Sequence, residues 1–243
     1  MTKFNPARAE VLPVFATPFL RGQLELDTDI IAEDCRKLVE KVKLRHPTNN
    51  SQNYTTYFDD DIRKEMWEFD WFKQFSDIIK DTYIEFIRSC FDIEVEHLHR
   101  YDIQLFAWVS VYKGQHQHEV HNHANSYMSG TYYIETGENT SPIRFYSPAL
   151  MANFGLQTRD RQVDRGYERI VFTGTNAIEN EMFVHPIPNE FLIWPSYIQH
   201  SVPPQYDTDI DDDYERISLS FNLKHRVPVD ETQTGNPMSY RGV

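Results

Sequence analysis

WVSVYKGQHQHEVHNHANSYMSGTYYI, residues 108–134, places four of the chain's ten histidines within eight positions, at His116, His118, His121 and His123. The histidines lead directly into 127–135, an alternating run rich in aromatic and β-branched residues, which reads as a strand. In a strand, residues i and i+2 share a face. Glu119, His121 and His123 therefore fall together if the backbone stays extended, and His116 and His118 face the other way.

Working outward, residues 104–112, 143–146, 167–173, 181–186, 190–194 and 216–223 also read as short strands separated by turn residues. Many short strands without intervening helices indicate an antiparallel sandwich or barrel rather than βαβ units. The N-terminal part differs. Residues 11–26 read as extended, with Pro13 and Pro18 limiting regularity. Asp27 or Thr28 can cap a helix over 29–43, where Ile30, Ile31, Cys35, Leu38, Val39 and Val42 recur at helical spacing. Residues 46–57 read as a loop. A second helix covers 71–91, with Phe72, Phe75, Ile78, Ile79, Tyr83, Phe86, Ile87 and Cys90 as its apolar stripe. The expected fold is mainly β with N-terminal helices. One domain over 1–243 is expected, with a helical part over about 1–100 and a jelly-roll core over about 101–225.

The chain has 243 residues, 40% of them hydrophobic, enough for a substantial core. Its formal net charge of −13 argues against nucleic-acid binding, which needs a basic face, and against an anionic membrane surface. Two cysteines, Cys35 and Cys90, imply no disulfide framework. No apolar run approaches the roughly 18 residues of a membrane span, and the N-terminus lacks a signal-peptide core. A cytoplasmic protein is expected. Oligomeric state is not readable.

His200, in FLIWPSYIQHSVPP (191–204), supplies a distant partner for the histidine cluster. Two ligands at i and i+2 and a third from a remote strand occupy one face of an octahedron. Three positions then stay open. Non-haem Fe(II) oxygenases use this geometry, usually with two histidines and one carboxylate, although imidazole also suits zinc, copper and nickel. His121 and His200 are the leading ligands. His123 is the third, with Glu119 as the alternative. His116 and His118 read as loop residues or as supports of the ligands. His46, His97, His99, His185 and His225 have no pattern.

Arg216 and Ser218 lie i, i+2 on the final strand. A guanidinium grips a carboxylate through two parallel hydrogen bonds, and a serine hydroxyl on the same face adds another. This suits the distal carboxylate of 2-oxoglutarate. A salt bridge to the acidic loop 205–215 is the plainer explanation of Arg216. Of Tyr132 and Tyr133 only one can point inward. Residues 157–169 hold Arg159, Arg161, Arg165 and Arg169, read either as a solvated loop or as a lid for an anionic substrate. The aspartates of 205–215 lack an EF-hand's glycine and terminal glutamate, so a solvated loop is expected there.

These elements together resemble the 2OG-Fe(II) oxygenases related to prolyl 4-hydroxylases, of the bacterial and phage type. The resemblance rests on LPVFATPF (12–19), FAWVSVYKG (106–114), HNH with SGTYYI (121–134), WPSYIQHSVPP (194–204) and RISLSFN (216–222). It implies a double-stranded β-helix of cupin-like jelly-roll form, with Fe(II) and 2-oxoglutarate as cofactors. It implies a metal held by His121, His123 and His200, and 2-oxoglutarate anchored by Arg216 and Ser218; from the residues themselves, the hydroxyl of Tyr133 is a candidate for a further contact with the co-substrate carboxylate. The implied activity is a dioxygenase that hydroxylates a small-molecule or peptidyl substrate with O2. Two departures stand out. His123 occupies a place where aspartate or glutamate is usual, and Asn189-Glu190 a turn where glycine is common. The alternatives are a cupin-type three-histidine metalloenzyme without 2-oxoglutarate and a non-catalytic jelly-roll binding protein.

Overall fold

Asp27 opens the first helix by accepting a hydrogen bond from the Ile30 N–H. The helix, α1 (Thr28–Arg45), has Asp29 in its first turn and Lys43 and Arg45 in its last, which complements the helix dipole. The computed structural model describes residues 17–46, 53–90, 99–114, 116–137, 140–148, 181–204 and 215–225. A short helix, α2 (Asp60–Glu65), is capped by Asp59. The long α3 (Asp70–Cys90) buries Phe72, Phe75, Ile79, Tyr83, Phe86 and Ile87 along one stripe. No helix among the described residues is long and apolar enough to cross a membrane.

Ten strands lie among the described residues: β1 (Leu20–Gln23), β2 (Tyr54–Thr55), β3 (Ile103–Lys113), β4 (His118–His121), β5 (Met128–Glu135), β6 (Ile143–Tyr146), β7 (Glu181–Val184), β8 (Glu190–Pro195), β9 (His200–Val202) and β10 (Glu215–His225). They form two antiparallel sheets, a double-stranded β-helix of the jelly-roll type. The larger is ordered β1-β8-β5-β10-β3-β2 and the smaller β4-β9-β6-β7. Within the expected loop 46–57, Tyr54 and Thr55 pair with Val111 and Ser110 as an edge strand. The expected strand 167–173, the arginine-rich loop 157–169 and residues 205–214 of the acidic loop lie outside the described residues.

Side-chain parity explains how the large sheet serves two purposes. Ile217, Leu219, Phe221 and Leu223 of β10, with Val109 and Val111 of β3, Tyr132 of β5, and Phe191 and Ile193 of β8, pack in one core with α1 and α3. Each fully buried side chain of this kind stabilises the fold by roughly 1.5–3 kcal/mol. The alternate residues face the smaller sheet, where Tyr133, Leu192 and Trp194 meet Ile143, Phe145 and Ile198. Gly130 belongs to the first face. A Cβ there would lie 2.2 Å from the Phe221 ring, so the glycine in SGTYY is required by packing. The glycine-like turn at Asn189 is held in the left-handed region (φ 66°), which asparagine tolerates. Its Oδ1 accepts from the Tyr132 hydroxyl at 2.6 Å.

Candidate metal and co-substrate site

β10 presents Arg216, Ser218, Ser220 and Asn222 on the face opposite its helix-packed residues, and β4 and β9 bring histidines across from the smaller sheet. His121 pairs directly with His200 between these two strands. Each of His121, His123 and His200 offers a ligand atom, and these lie within 4.8 Å of one another. The Nε2 atoms of His123 and His200 are 3.3 Å apart. Two cis ligands at roughly 2.1 Å from a metal ion stand about 3 Å apart, so the spacing fits one ion.

The far side of each ring fixes its proton. His121 Nδ1 meets the Glu119 carbonyl at 2.7 Å, and His200 Nδ1 the Ile198 carbonyl at 3.0 Å. His123 Nδ1 meets the Asn222 Oδ1 at 2.6 Å. All three partners accept only, so each Nδ1 carries the proton and each Nε2 keeps its lone pair for a metal. Asn222 is itself oriented. Ser129 donates to the same Oδ1 at 2.9 Å, and Ser196 and Ser126 extend the chain of hydroxyls behind it. Trp108 lies nearly parallel to the His123 ring, while Trp194 and Phe145 wall His200. Asn222→Ala is therefore expected to lower metal affinity about 10- to 100-fold, the usual effect of removing a partner behind a ligand. Calorimetric titration with Fe(II) or Zn(II) checks this. Unchanged affinity would mean that Asn222 supports the fold only.

Burial disfavours the charged form of these imidazoles, taking His123 down to about 4 and His118 to about 3, with His200 lowered as well. In the unfolded chain a histidine titrates near 6.5. Between those values the unfolded state binds more protons, so stability rises with pH. The metal-free protein is expected to melt at progressively lower temperature as pH falls from about 6.5 toward about 4. His118→Gln should flatten that profile. A melting temperature flat across this window would contradict the burial.

Farther along the same face of β10 lies Arg216. Arg216 is 3% exposed, and its guanidinium carbon lies 4.9 Å from the Tyr112 ring centroid and 5.3 Å from that of Tyr133. It donates one hydrogen bond to the Ser141 carbonyl. Its Nε and the Tyr133 hydroxyl are buried without a hydrogen-bond partner among the described residues. Burying such donors unpaired is costly, so both are open to an acceptor. Glu215, beside Arg216, is taken by Arg36 and Lys113 instead. Ser218 is also buried, directly opposite Ser110 and Tyr133. Of the tyrosine pair, Tyr133 points inward and Tyr132 into the helix-packed core.

Two expectations about β4 require correction. The parity that grouped Glu119 with His121 and His123 does not hold, because β4 ends at His121 and carries an irregularity. His118 pairs with Val202 and His121 with His200, four residues against three. The extra residue is the signature of a bulge, which re-aims side chains. His118 consequently stacks on His121, ring centroids 4.0 Å apart, rather than facing away. Glu119 is exposed and gives the site its carbonyl, not its carboxylate. His116 instead caps the turn after β3, accepting from the Lys113 N–H. Sequence reading missed Asn222, Tyr112 and Trp108. Asn222 was reachable, since it lies on the same parity as Arg216 and Ser218.

Residues 106–222 match the family model described as putative 2OG-Fe(II) oxygenase. No curated protein sequence matches the chain. Among solved structures, a prolyl-4-hydroxylase from Pseudomonas putida is similar at 12% identity and a TM-score of 0.52, covering 87% of this chain and 94% of its own. EvdO2 from Micromonospora carbonacea var. aurantiaca, complexed with 2-oxoglutarate, is similar at 8% identity and a TM-score of 0.52, covering 88% and 89% respectively. Both likenesses concern the fold.

Proposed function

We propose that the chain is an Fe(II)- and 2-oxoglutarate-dependent dioxygenase, a reading supported by the match of residues 106–222 to the family model described as putative 2OG-Fe(II) oxygenase. His121, His123 and His200 would hold the iron, and Arg216, Ser218 and Tyr133 the distal carboxylate of 2-oxoglutarate. The observation that carries this reading is the pairing of a three-histidine cluster with a buried Arg216 whose Nε lacks a partner.

When bound, the metal and co-substrate supply O2 activation, in which 2-oxoglutarate, O2 and a C–H bond become succinate, CO2 and a C–OH group. The chain's part is to bind, orient and exclude water. The Nδ1 hydrogen bonds would leave the Nε2 lone pairs of the three histidines for the metal. Arg216, between two aromatic faces, provides a charged fork in a dry chamber, where such a contact is stronger than in water. Trp194 and Phe145 wall His200 from solvent, and Trp108 stacks on His123. The substrate stays open between a small molecule and a peptidyl side chain. A cytoplasmic location is part of the proposal, since Cys35 and Cys90 carry no disulfide.

Loading the protein anaerobically with Fe(II) and 2-oxoglutarate, then admitting O2, should release succinate without any added substrate. Three neutral ligands in place of the usual carboxylate favour one second reading, a cupin-type metalloenzyme without 2-oxoglutarate. Metal binding without 2-oxoglutarate binding or succinate release would select that reading.

A further inference from the structure

We propose that His118 is a co-substrate-binding residue, donating a hydrogen bond from its Nε2–H to a carboxylate oxygen of 2-oxoglutarate. The proposal rests on the 2-oxoglutarate reading above and adds to it a contact that strand parity had turned away from the site.

Four imidazoles meet in this chamber, and their Nδ1 partners divide them. His121, His123 and His200 face oxygen atoms that can only accept, which leaves a lone pair on each Nε2. His118 Nδ1 faces the Tyr112 hydroxyl at 3.3 Å, and a hydroxyl can donate. Tyr112 is in turn hydrogen-bonded by the side chain of Asn53, both residues being buried. With the Asn53 amide donating to the phenol oxygen, the phenol proton points to His118 Nδ1. A neutral imidazole that accepts at Nδ1 carries its proton on Nε2. The opposite tautomer would make His118 a fourth ligand, yet it lies outside the group of three whose ligand atoms converge.

The position of the ring says what that N–H serves. One side of His118 stacks on His121, with an interplanar angle of 22°. Its hydroxyl partner Tyr112 forms the wall beneath the Arg216 guanidinium. His118 therefore bridges the metal-facing histidines and the anion-facing arginine, the span a five-carbon dicarboxylate must cover. On this proposal its Nε2–H would be the donor there, adding no lone pair that would compete for the metal. The irregularity between His118 and His121 in the β4–β9 ladder produces this inward turn.

The test is calorimetric titration of the anaerobic, Fe(II)-loaded protein with 2-oxoglutarate, beside a separate Fe(II) titration, for wild type, His118→Ala, His118→Gln and His118→Asn. The glutamine amide nitrogen reaches the place of Nε2, and the asparagine amide only that of Nδ1. His118→Ala and His118→Asn are expected to weaken 2-oxoglutarate binding about tenfold or more, as loss of a hydrogen bond to a charged group does. His118→Gln should keep most of the affinity, and all four proteins should bind Fe(II) alike. Wild-type affinity for 2-oxoglutarate in His118→Ala would overturn the proposal, as would a loss of Fe(II) affinity in its place. A wild-type protein that binds Fe(II) but not 2-oxoglutarate would overturn the co-substrate reading itself along with it.

Discussion

His200→Gln is expected to abolish Fe(II) binding at micromolar metal and, with it, succinate release. The reasoning is geometric. His200 is 4% exposed, walled by Trp194 and Phe145, and its Nε2 stands 3.3 Å from that of His123. Its place is fixed because β9 is paired on both sides, with β4 and with β6. Removing even a residue behind a ligand costs 10- to 100-fold in metal affinity, so loss of a ligand should exceed about a hundredfold. Glutamine keeps most of the bulk, so the fold should survive, and an unchanged far-UV dichroism spectrum would verify that. Glu119→Ala is the companion experiment and should bind metal as wild type does. Retained Fe(II) stoichiometry in His200→Gln would remove the metal site from this chamber, whereas lost binding in Glu119→Ala would reinstate the carboxylate.

Arg216→Ala should weaken 2-oxoglutarate binding by roughly 2–5 kcal/mol, the cost of leaving a buried charged pair half made. Arg216→Lys should recover only part of this, because an ammonium cannot form the planar fork or spread between the faces of Tyr112 and Tyr133. Metal affinity should be nearly unaffected in both. A second measurement separates this from a folding defect. Alone, the protein buries a guanidinium that no described carboxylate neutralises, and a buried charge without its partner is destabilising. Saturating 2-oxoglutarate should therefore raise the melting temperature of the Fe(II)-loaded wild type but not that of Arg216→Ala. Equal 2-oxoglutarate affinity in wild type and Arg216→Ala would move the reading to the cupin-type alternative.

The parts of the fold legible in the sequence are those where a strict period survives. β10 alternates without interruption from Arg216 to Leu223, so parity alone put Arg216 and Ser218 on one face and Tyr132 and Tyr133 of β5 on opposite ones. α1 and α3 were legible because their apolar stripes recur at 3–4 residues and Asp27 caps the first. Failure came where a local irregularity breaks the count. One additional residue in β4 reverses the facing of His118, and nothing in HQHEVHNH marks where it is inserted. The edge strand Tyr54–Thr55 has two residues, too few to show any period. The convergence of His200 with His121 was legible only as chemistry, from the habit of metals to draw ligands from distant strands. The pairing that achieves it depends on β9, three residues long. Asn222 was hidden differently. Its parity was plain, but a serine-supported amide behind a histidine has no motif of its own.

An all-imidazole ligand set, as proposed for His121, His123 and His200, would shape how occupancy of the site responds to the cell. A carboxylate ligand would cancel half of a ferrous ion's charge before anything else arrived. Three neutral rings cancel none, so an ion held by His121, His123 and His200 keeps its full double charge in a buried chamber. The carboxylate at the 2-oxo end of 2-oxoglutarate would then bring that ion its first countercharge, while the far carboxylate meets Arg216. Each of the two becomes easier to hold when the other is present, and the factor must be the same in both directions. Iron retention in this protein should therefore follow the level of a central carbon metabolite, and starvation for that metabolite should release iron as well as stop turnover.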